Sequence, residues 1–341
     1  MDWNVAKADA AERLRQAIAD RGVVPTPSSL RVSPWLAMSI LQKAIRRGDD
    51  RWALRAAATL LRAAPDRLWR RLGVIAFEDI GTADLETIEL VTAAGAGRGR
   101  QVTASEWEVV SLLITCVARA PKCRAADDLL MVVDHHPALA EGRGASTRHG
   151  APMRRSLPEL ALDLSAGSVA TPVMRPHGAD QVSALPDRAV WVARAGAGWL
   201  GHPLCGFLPL LAAARSGEEC SFGDDDLPPE TTVRGMPGWA FDMFVREGRT
   251  ALKEFLRRSS RSGLWIEEHV PPSRRLDFLG NLVFAVEGGL LRARSSWPTA
   301  TRLRYLAEIE SQGPWCRDAS EVLALLRDEL PLLNRVRVDV L

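Results

Sequence analysis

The apolar residues between positions 34 and 63 recur at intervals of three and four, and this spacing restricts the fold more than any other feature. Such a period predicts amphipathic helices, with Lys43, Arg46 and Arg47 largely off the apolar face. An aspartate at 49 or 50 can cap the second helix. Short helices joined by short turns pack as antiparallel neighbours, so the sequence predicts a helical bundle. The apolar face of the first helix consists of Leu36, Ile40, Leu41, Ala44 and Ile45.

The helical pattern extends along most of the chain and predicts a mainly α fold with minor β structure. Residues 1–32 are expected to form an N-terminal helix and linker, and residues 33–140 a helical bundle domain. Glycine and proline interrupt any period in residues 141–185, which predicts a linker. Residues 186–341 are expected to form a mostly helical second domain. Within it, VWVARAGAGWL fits either a strand or a short buried helix, and the terminal VRVDVL fits a short strand.

Composition excludes several classes of protein. Five cysteines without a CxxC pair argue against a disulfide framework and a zinc ribbon. The charged N-terminal segment resembles no signal peptide, and the apolar run 189–214 is interrupted by Arg194, His202 and two prolines. These features predict a soluble cytoplasmic protein that does not cross a membrane. A net charge of +2 argues against a molecule whose whole surface binds nucleic acid.

The charge is nevertheless uneven. Between residues 246 and 304 there are twelve Lys or Arg against six Asp or Glu, with tryptophans nearby. Arginine on phosphate and an aromatic ring stacked on a base are typical of single-strand binding. An arginine-rich coding bias would produce the same count, so a solvated surface is the alternative. The candidate DNA-binding residues are Arg257, Arg258, Arg261, Arg274, Arg275 and Trp265.

A second group of polar residues surrounds the end of a predicted helix at Gly81. Gly81 can end that helix in the left-handed conformation, and Asp84 can cap the next one. Glu78 and Asp79 lie in the last turn, where their charge opposes the helix dipole. A cation such as Arg70 or Arg71 is therefore the predicted partner. No third ligand lies at a usable spacing, so a metal site is not expected.

Three segments that include these residues resemble the C-terminal helical domain of replication-associated recombination protein A (RarA, also called MgsA), a bacterial ATPase family. The segments are SILQKAIRRGDDRWALRAAATLLRA, RRLGVIAFEDIGTADLETIEL and ITCVARAPKCRAADDLL, within residues 33–135. The most specific part joins Arg70 and Arg71 to Glu78, Asp79, Gly81 and Asp84, and Pro121-Lys122 is a second anchor.

The resemblance implies a self-associating helical domain, tetrameric in the family, and a role at stalled replication forks, in recombination or on single-stranded or forked DNA. The chain has no GxxxxGK[ST] loop and no nucleotide-binding module before the resembling region, so ATP hydrolysis is not expected. No cofactor is implied. The resemblance ends near residue 135, and the rest of the chain departs from the family.

No recognised catalytic motif is present in the sequence. Asp134-His135-His136 is the densest cluster of ligand-type side chains, but adjacent histidines on a helix point about 100° apart, and a surface helix end explains them. Asp242 and Arg246, one turn apart, predict an ion pair at a helix start. An unrecognised enzyme site in residues 186–304 would involve Asp242 and Arg246 with His202 and His269.

These observations favour a non-enzymatic, oligomeric accessory protein of DNA replication, recombination or repair, located in the cytoplasm or at the nucleoid, that binds DNA or a replication-repair protein. The first alternative is a protein-interaction module for a clamp-loader-like or RarA-like ATPase that does not contact DNA. The second alternative is the enzyme with a site in residues 186–304.

Overall fold

Apolar side chains at helical spacing organise most of the chain into α-helices. We analysed a computed structural model, which describes residues 3–96, 105–140, 156–165, 187–311 and 319–341. The mainly α fold with minor β structure is confirmed over these residues. The helices are α1 (Trp3–Arg21), α2 (Pro34–Arg46), α3 (Asp50–Ala63), α4 (Pro65–Ile75), α5 (Leu85–Ala96), α6 (Glu106–Arg119), α7 (Ala125–His135), α8 (Leu157–Ser165), α9 (Asp187–Leu200), α10 (Pro203–Arg215), α11 (Arg246–Phe255), α12 (Arg261–His269), α13 (Arg275–Val283), α14 (Pro298–Tyr305) and α15 (Ala319–Val340).

Several helices continue into shorter turns. α4, α13 and α14 each extend by a π-helical turn, at Ala76–Ile80, Phe284–Gly288 and Leu306–Glu310. Turns of 3₁₀ helix cover Gly81–Ala83, Pro137–Leu139 and Gly238–Ala240. Turns of π-helix are rare and often lie at functional sites. The first of these turns contains Asp79, and the second contains Glu287.

The strands are short and form two antiparallel pairs. β1 (Ser221–Gly223) pairs with β4 (Arg294–Ser296), so that Phe222 lies opposite Ser295. β2 (Thr232–Val233) and β3 (Met236–Pro237) form a hairpin whose turn has positive φ angles at Arg234 and Gly235. Each pair is too small to be stable alone, so the surrounding helices must support it.

The chain divides into two compact units, each made of separate stretches of sequence. Unit 1 contains residues 1–24, 69–223 and 293–313, and unit 2 contains residues 25–68, 224–292 and 314–341. These units do not follow the predicted boundaries, because α2 and α3 belong with residues 224–292 rather than with the rest of 33–140. The glycine and proline content of a segment indicates where helices are interrupted. Which unit a helix belongs to depends instead on its long-range contacts.

In unit 1, α5 packs against α1, α6 and α9, while α7 contacts α8, α10 and α14. The segment VWVARAGAGWL is helical and forms most of α9. Within the predicted 141–185 linker, the structure describes only residues 156–165, which include the helix α8, and the remainder lies outside the described residues. No helix among the described parts of the chain is both long and apolar enough to cross a membrane.

In unit 2, α2 and α3 form a hairpin, and α15 packs against α11, α12 and α13. The predicted apolar face of α2 is buried in full. Asp49 caps α3 by accepting a hydrogen bond from the Trp52 N–H at 3.0 Å. The predicted strand at VRVDVL is wrong, because those residues continue α15, where Val336 and Arg337 are buried. Tertiary packing of one helical face outweighs the β preference of alternating valines.

Candidate functional site

The residues around Gly81 form a continuous series of turns in unit 1. The π-helical turn that follows α4 ends at Gly81, whose φ of 51° agrees with the predicted positive φ, although its ψ of −136° lies outside the left-handed helical region. Asp84 then caps α5, as predicted, because its Oδ1 accepts a hydrogen bond from the Thr87 N–H at 3.1 Å. This geometry turns the chain sharply between two helices.

Cys123, the residue that follows the Pro121-Lys122 anchor, meets this turn directly. The Cys123 N–H donates a hydrogen bond to the Asp79 carbonyl at 2.8 Å. A Cβ added to Gly81 would lie 2.7 Å from the Cys123 carbonyl oxygen, so the two backbones approach as closely as glycine permits. Backbone contact therefore joins the turn at Gly81 to the residue directly after the Pro121-Lys122 anchor.

Four charged residues surround this contact, and we name them the Asp79–Arg124 cluster: Glu78, Asp79, Arg124 and Asp127. Arg124 Nη1 lies 3.3 Å from Asp79 Oδ1 and 3.7 Å from Glu78 Oε1, and Nη2 contacts Asp127. Asp79 is fully buried. Burial by itself lowers the pKa of Arg124, but the carboxylates of Asp127 and Asp79 reverse this and raise the pKa above its ordinary value.

Arg124 is therefore a cation that meets Asp79, and the sequence did not single it out. Arg70, one of the two predicted partners, is exposed on α4. The positive charges of Arg70 and Arg71 also lower the pKa of His202, for which burial is the larger cause. Arg124 lies just after the turn at Pro121 and is 45 residues from Asp79 in the sequence. The turn, and not helical spacing, brings the two side chains together.

Pro121 and Lys122 end α6. Lys122 is almost fully buried, and its Nζ donates to the carbonyl of Ala118 at 2.9 Å and to that of Ala120. These are among the carbonyls that a helix end leaves without partners, and the negative end of the helix dipole also stabilises a cation there. The Lys122 backbone donates to the Ala293 carbonyl and accepts from the Ser295 N–H, which extends β4 by one contact.

Burial lowers the pKa of Lys122 from 10.5 to about 8. Between these values the unfolded chain binds more protons than the folded chain, so the free energy of unfolding should rise with pH. We expect this rise in the wild type and its loss in Lys122→Met, measured by urea denaturation between pH 8 and 10.5.

Lys253→Met is the matched control, because Lys253 is exposed on α11. This variant should keep the pH dependence of the wild type. A constant difference in stability between wild type and Lys122→Met across the window would contradict the lowered pKa.

The predicted DNA-binding arginines lie in unit 2, where carboxylates hold most of them. Arg258 pairs with Glu254 and with Asp339, the latter at 2.8 Å. Arg261 pairs with Asp328 at 3.2 Å and also contacts Glu329. The remaining described pairs are Arg257 with Glu254 and Arg275 with Glu267. The local excess of positive charge in the sequence is thus largely balanced in the fold.

Arg274 and Trp265 differ from the other predicted residues. Arg274 is exposed and precedes α13, and no ion pair of Arg274 occurs among the described residues. Trp265 is only 7% exposed, and its ring stacks on His269 with centroids 4.2 Å apart and on Phe278 at 6.1 Å. Its indole faces contact protein, so base stacking on Trp265 is not part of the function proposed below.

Another buried charged group lies elsewhere in unit 2 and was missed by sequence reasoning. We name it the Lys43–Arg337 cluster: Lys43, Asp242, Glu287 and Arg337. Lys43 Nζ lies 2.8 Å from Asp242 Oδ2 and 2.6 Å from Ser39 Oγ. Burial lowers the pKa of Lys43, against the opposing effect of the Asp242 charge. The expectation that Lys43 and Arg46 lie off the buried face of α2 is wrong, since both are buried.

The second half of this cluster is a bidentate pair. Arg337 Nη1 and Nη2 donate to Glu287 Oε1 and Oε2 at 3.0 and 2.7 Å, and Nη2 also donates to the Phe241 carbonyl. Arg337 is fully buried and Glu287 nearly so. No local pattern could have revealed the pairs, because each joins residues from distant parts of the sequence. The predicted pair of Asp242 with Arg246 is replaced by Asp242 with Lys43.

The residues of the enzyme hypothesis have separate structural roles. His202 in unit 1 caps α10, with Nδ1 3.4 Å from the Leu204 N–H. In unit 2, Asp242 is held in the Lys43–Arg337 cluster, Arg246 begins α11, and His269 Nδ1 lies 2.8 Å from the Trp265 carbonyl. Over the residues that the structure describes, no three His, Cys, Asp or Glu side chains are arranged to hold a metal ion.

His136 also departs from its prediction. The sequence placed it at a surface helix end, but it is buried, and its Nε2 lies 3.1 Å from Glu310 Oε2. The reason is the π-helical turn after α14, which brings Glu310 against the end of α7. His135, one residue earlier, is exposed as expected.

No family model, curated protein or solved structure matches the chain. The RarA resemblance therefore depends on the motif residues described above and stays a prediction.

Proposed function

We propose that the protein is a non-enzymatic, oligomeric accessory protein of DNA replication, recombination or repair that binds a protein of that machinery. A RarA-like or clamp-loader-like ATPase is the proposed partner, and the cytoplasm, at the nucleoid, is the proposed location. The RarA-like pattern of residues 33–135 supports the replication context. The chain would share the family's helical association domain without its ATPase.

The balance of charge around α11 and α12 is the observation that favours a protein partner over DNA. Five arginines there were candidates for phosphate contact, and five carboxylates lie among them: Glu254, Glu267, Asp328, Glu329 and Asp339. DNA affinity comes mainly from cations that replace counterions on phosphates. Carboxylates beside the same arginines repel phosphates, whereas a mixed surface of both signs suits a protein with complementary charges.

The test measures two interactions of the full chain in parallel. Purified protein is mixed with a RarA-like ATPase from the same organism and analysed by size-exclusion chromatography with light scattering. It is also titrated against labelled single-stranded, duplex and forked DNA that lacks 5′-phosphates, across a salt series. We expect a complex with the ATPase, self-association of the free protein into a tetramer, and no salt-sensitive DNA binding.

Direct DNA contact is the second candidate, and Arg274 and the 78%-exposed side chain of Arg257 favour it. Its variant carries Arg257, Arg258 and Arg261 changed to alanine. Salt-sensitive binding by the wild type that weakens in this variant would replace the protein-partner proposal with a DNA adaptor. Absence of both interactions would contradict the accessory role altogether.

A further inference from the structure

A cavity of about 430 Å³ opens between α5 and α9 in unit 1, and no residue of the Asp79–Arg124 cluster lines it. Sites for small ligands usually measure about 300–1,000 Å³, so this volume suits one small molecule. The residues that determine its chemistry are Thr92, Gly95, Trp191, Arg194, Gly198 and Trp199.

The wall contributed by α5 carries a buried hydroxyl group. Thr92 is fully buried, and its Oγ1 has no hydrogen-bond partner among the residues that the structure describes. Leaving such a group without a partner costs free energy, and buried polar groups in proteins are nearly always satisfied. Less than 1 Å² of this oxygen is exposed, so the Thr92 side chain forms part of the wall and a ligand in the cavity does not reach its hydroxyl group.

The wall contributed by α9 carries a fixed aromatic ring. A Cβ added to Gly95 would lie 2.1 Å from Cη2 of Trp199, and one added to Gly73 would lie 2.7 Å from the same atom. Two glycines therefore make room for one edge of the indole and hold it in place. The same tryptophan lines the cavity, which gives a ligand a pre-positioned aromatic surface.

Arg194 supplies positive charge to the cavity. It is exposed, lies one helical turn before Gly198 on α9, and forms no ion pair with any described carboxylate. A guanidinium group of this kind binds phosphate with two parallel hydrogen bonds. An aromatic surface and one available cation together match a planar ring that carries an anionic group.

We propose that this cavity binds a nucleobase together with its phosphate. The base stacks on Trp199, and the phosphate contacts Arg194. Stacking on an aromatic side chain accepts any base, because every base has a π face. The ligand is either a free nucleoside monophosphate or the 5′-phosphorylated end of a single strand, since both present this chemistry. The proposal is independent of the protein partner above.

Gly198 offers a way to close the cavity without disturbing the fold. A Cβ added there meets no atom within 4 Å, so Gly198→Leu places its side chain in open space that lines the site. Leucine also favours a helix interior over glycine. The matched control is Gly206→Leu on α10, where an added Cβ likewise meets nothing within 4 Å and the residue is exposed.

The experiment is isothermal titration calorimetry of the full chain with thymidine monophosphate, thymidine, and a short oligothymidylate with or without a 5′-phosphate. We expect wild type and Gly206→Leu to bind the phosphorylated probes. Gly198→Leu should weaken that binding at least about tenfold by filling the site. Arg194→Gln should weaken it about tenfold by removing the phosphate contact, with little effect on thymidine.

The outcomes separate the two ligand sources. Binding of thymidine monophosphate that Gly198→Leu abolishes supports a free nucleotide, and binding confined to the phosphorylated strand supports a strand end. Absence of binding to every probe overturns the proposal, as does binding that Gly198→Leu leaves unchanged. Either result leaves the ATPase complex to be judged by its own assay.

Discussion

Replacing Glu287 by glutamine is expected to lower the free energy of unfolding by about 3–5 kcal/mol, which is the usual cost of removing one member of a buried ion pair. Arg337 is fully buried and donates to both carboxylate oxygens of Glu287. Glutamine keeps the size of the side chain but removes its charge. Because arginine does not lose its proton in proteins, Arg337 would stay charged without a counter-ion.

Urea denaturation followed by circular dichroism measures this loss. The matched control is Glu267→Gln, since Glu267 is exposed and its nearest contact with Arg275 is 3.8 Å. That control should change stability by less than about 0.5 kcal/mol, as surface substitutions usually do. A Glu287→Gln variant as stable as the control would show that the pair contributes little to the fold.

The other half of the same cluster should respond differently. Asp242→Asn also leaves a buried cation, Lys43, but burial lowers the pKa of Lys43, so this amine can lose its proton. The destabilisation should therefore be smaller than for Glu287→Gln and should shrink as pH rises, because the charge without a counter-ion disappears. An equal loss in both variants at all pH values would contradict this difference between lysine and arginine.

Replacing Arg124 by methionine is the second change with a large expected effect, again a loss of about 3–5 kcal/mol. The fully buried Asp79 would lose the cation that lies 3.3 Å from its Oδ1. The same cluster holds the turn at Gly81 against the segment after Pro121. The variant should therefore unfold at a lower urea concentration than the wild type, with a similar dependence on urea.

Arg70→Met is the control variant. It distinguishes Arg124, the cation that the structure places beside Asp79, from Arg70, which the sequence predicted there. Arg70 is exposed, so its loss should change stability by less than about 0.5 kcal/mol. The double variant Asp79→Asn with Arg124→Met should lose less than the sum of its single variants, since the two residues interact directly. A greater loss for Arg70→Met than for Arg124→Met would restore Arg70 as the partner of the acidic pair.

The sequence predicted the features that depend on residues within one helical turn of each other. The apolar face of α2, the cap at Asp49 and the cap at Asp84 all follow this rule. The capping box that the structure shows at the start of α6 is equally local, because Ser105 and Glu108 satisfy each other's backbone N–H groups. Such contacts depend only on which residues lie within a few positions of each other in the sequence.

Predictions that needed longer contacts were less successful. VRVDVL was expected to form a strand, but α15 continues through it and buries Val336 and Arg337 on the side that faces unit 2 neighbours. Trp265 was chosen for its position beside arginines, yet it stacks on His269 and Phe278 in the interior. Counts of charged and aromatic residues do not distinguish a surface from a core.

The sequence by itself determined the helices, their caps and the mainly α class, because helical period and capping depend on neighbours within about four residues. Only the tertiary structure decided which charges are buried and how they pair. Lys43 lies opposite Asp242, Glu287 opposite Arg337, and Asp79 opposite Arg124, with each partner supplied by another segment. Burial makes an ion pair specific by penalising every unpaired alternative, and burial is a property of the folded chain.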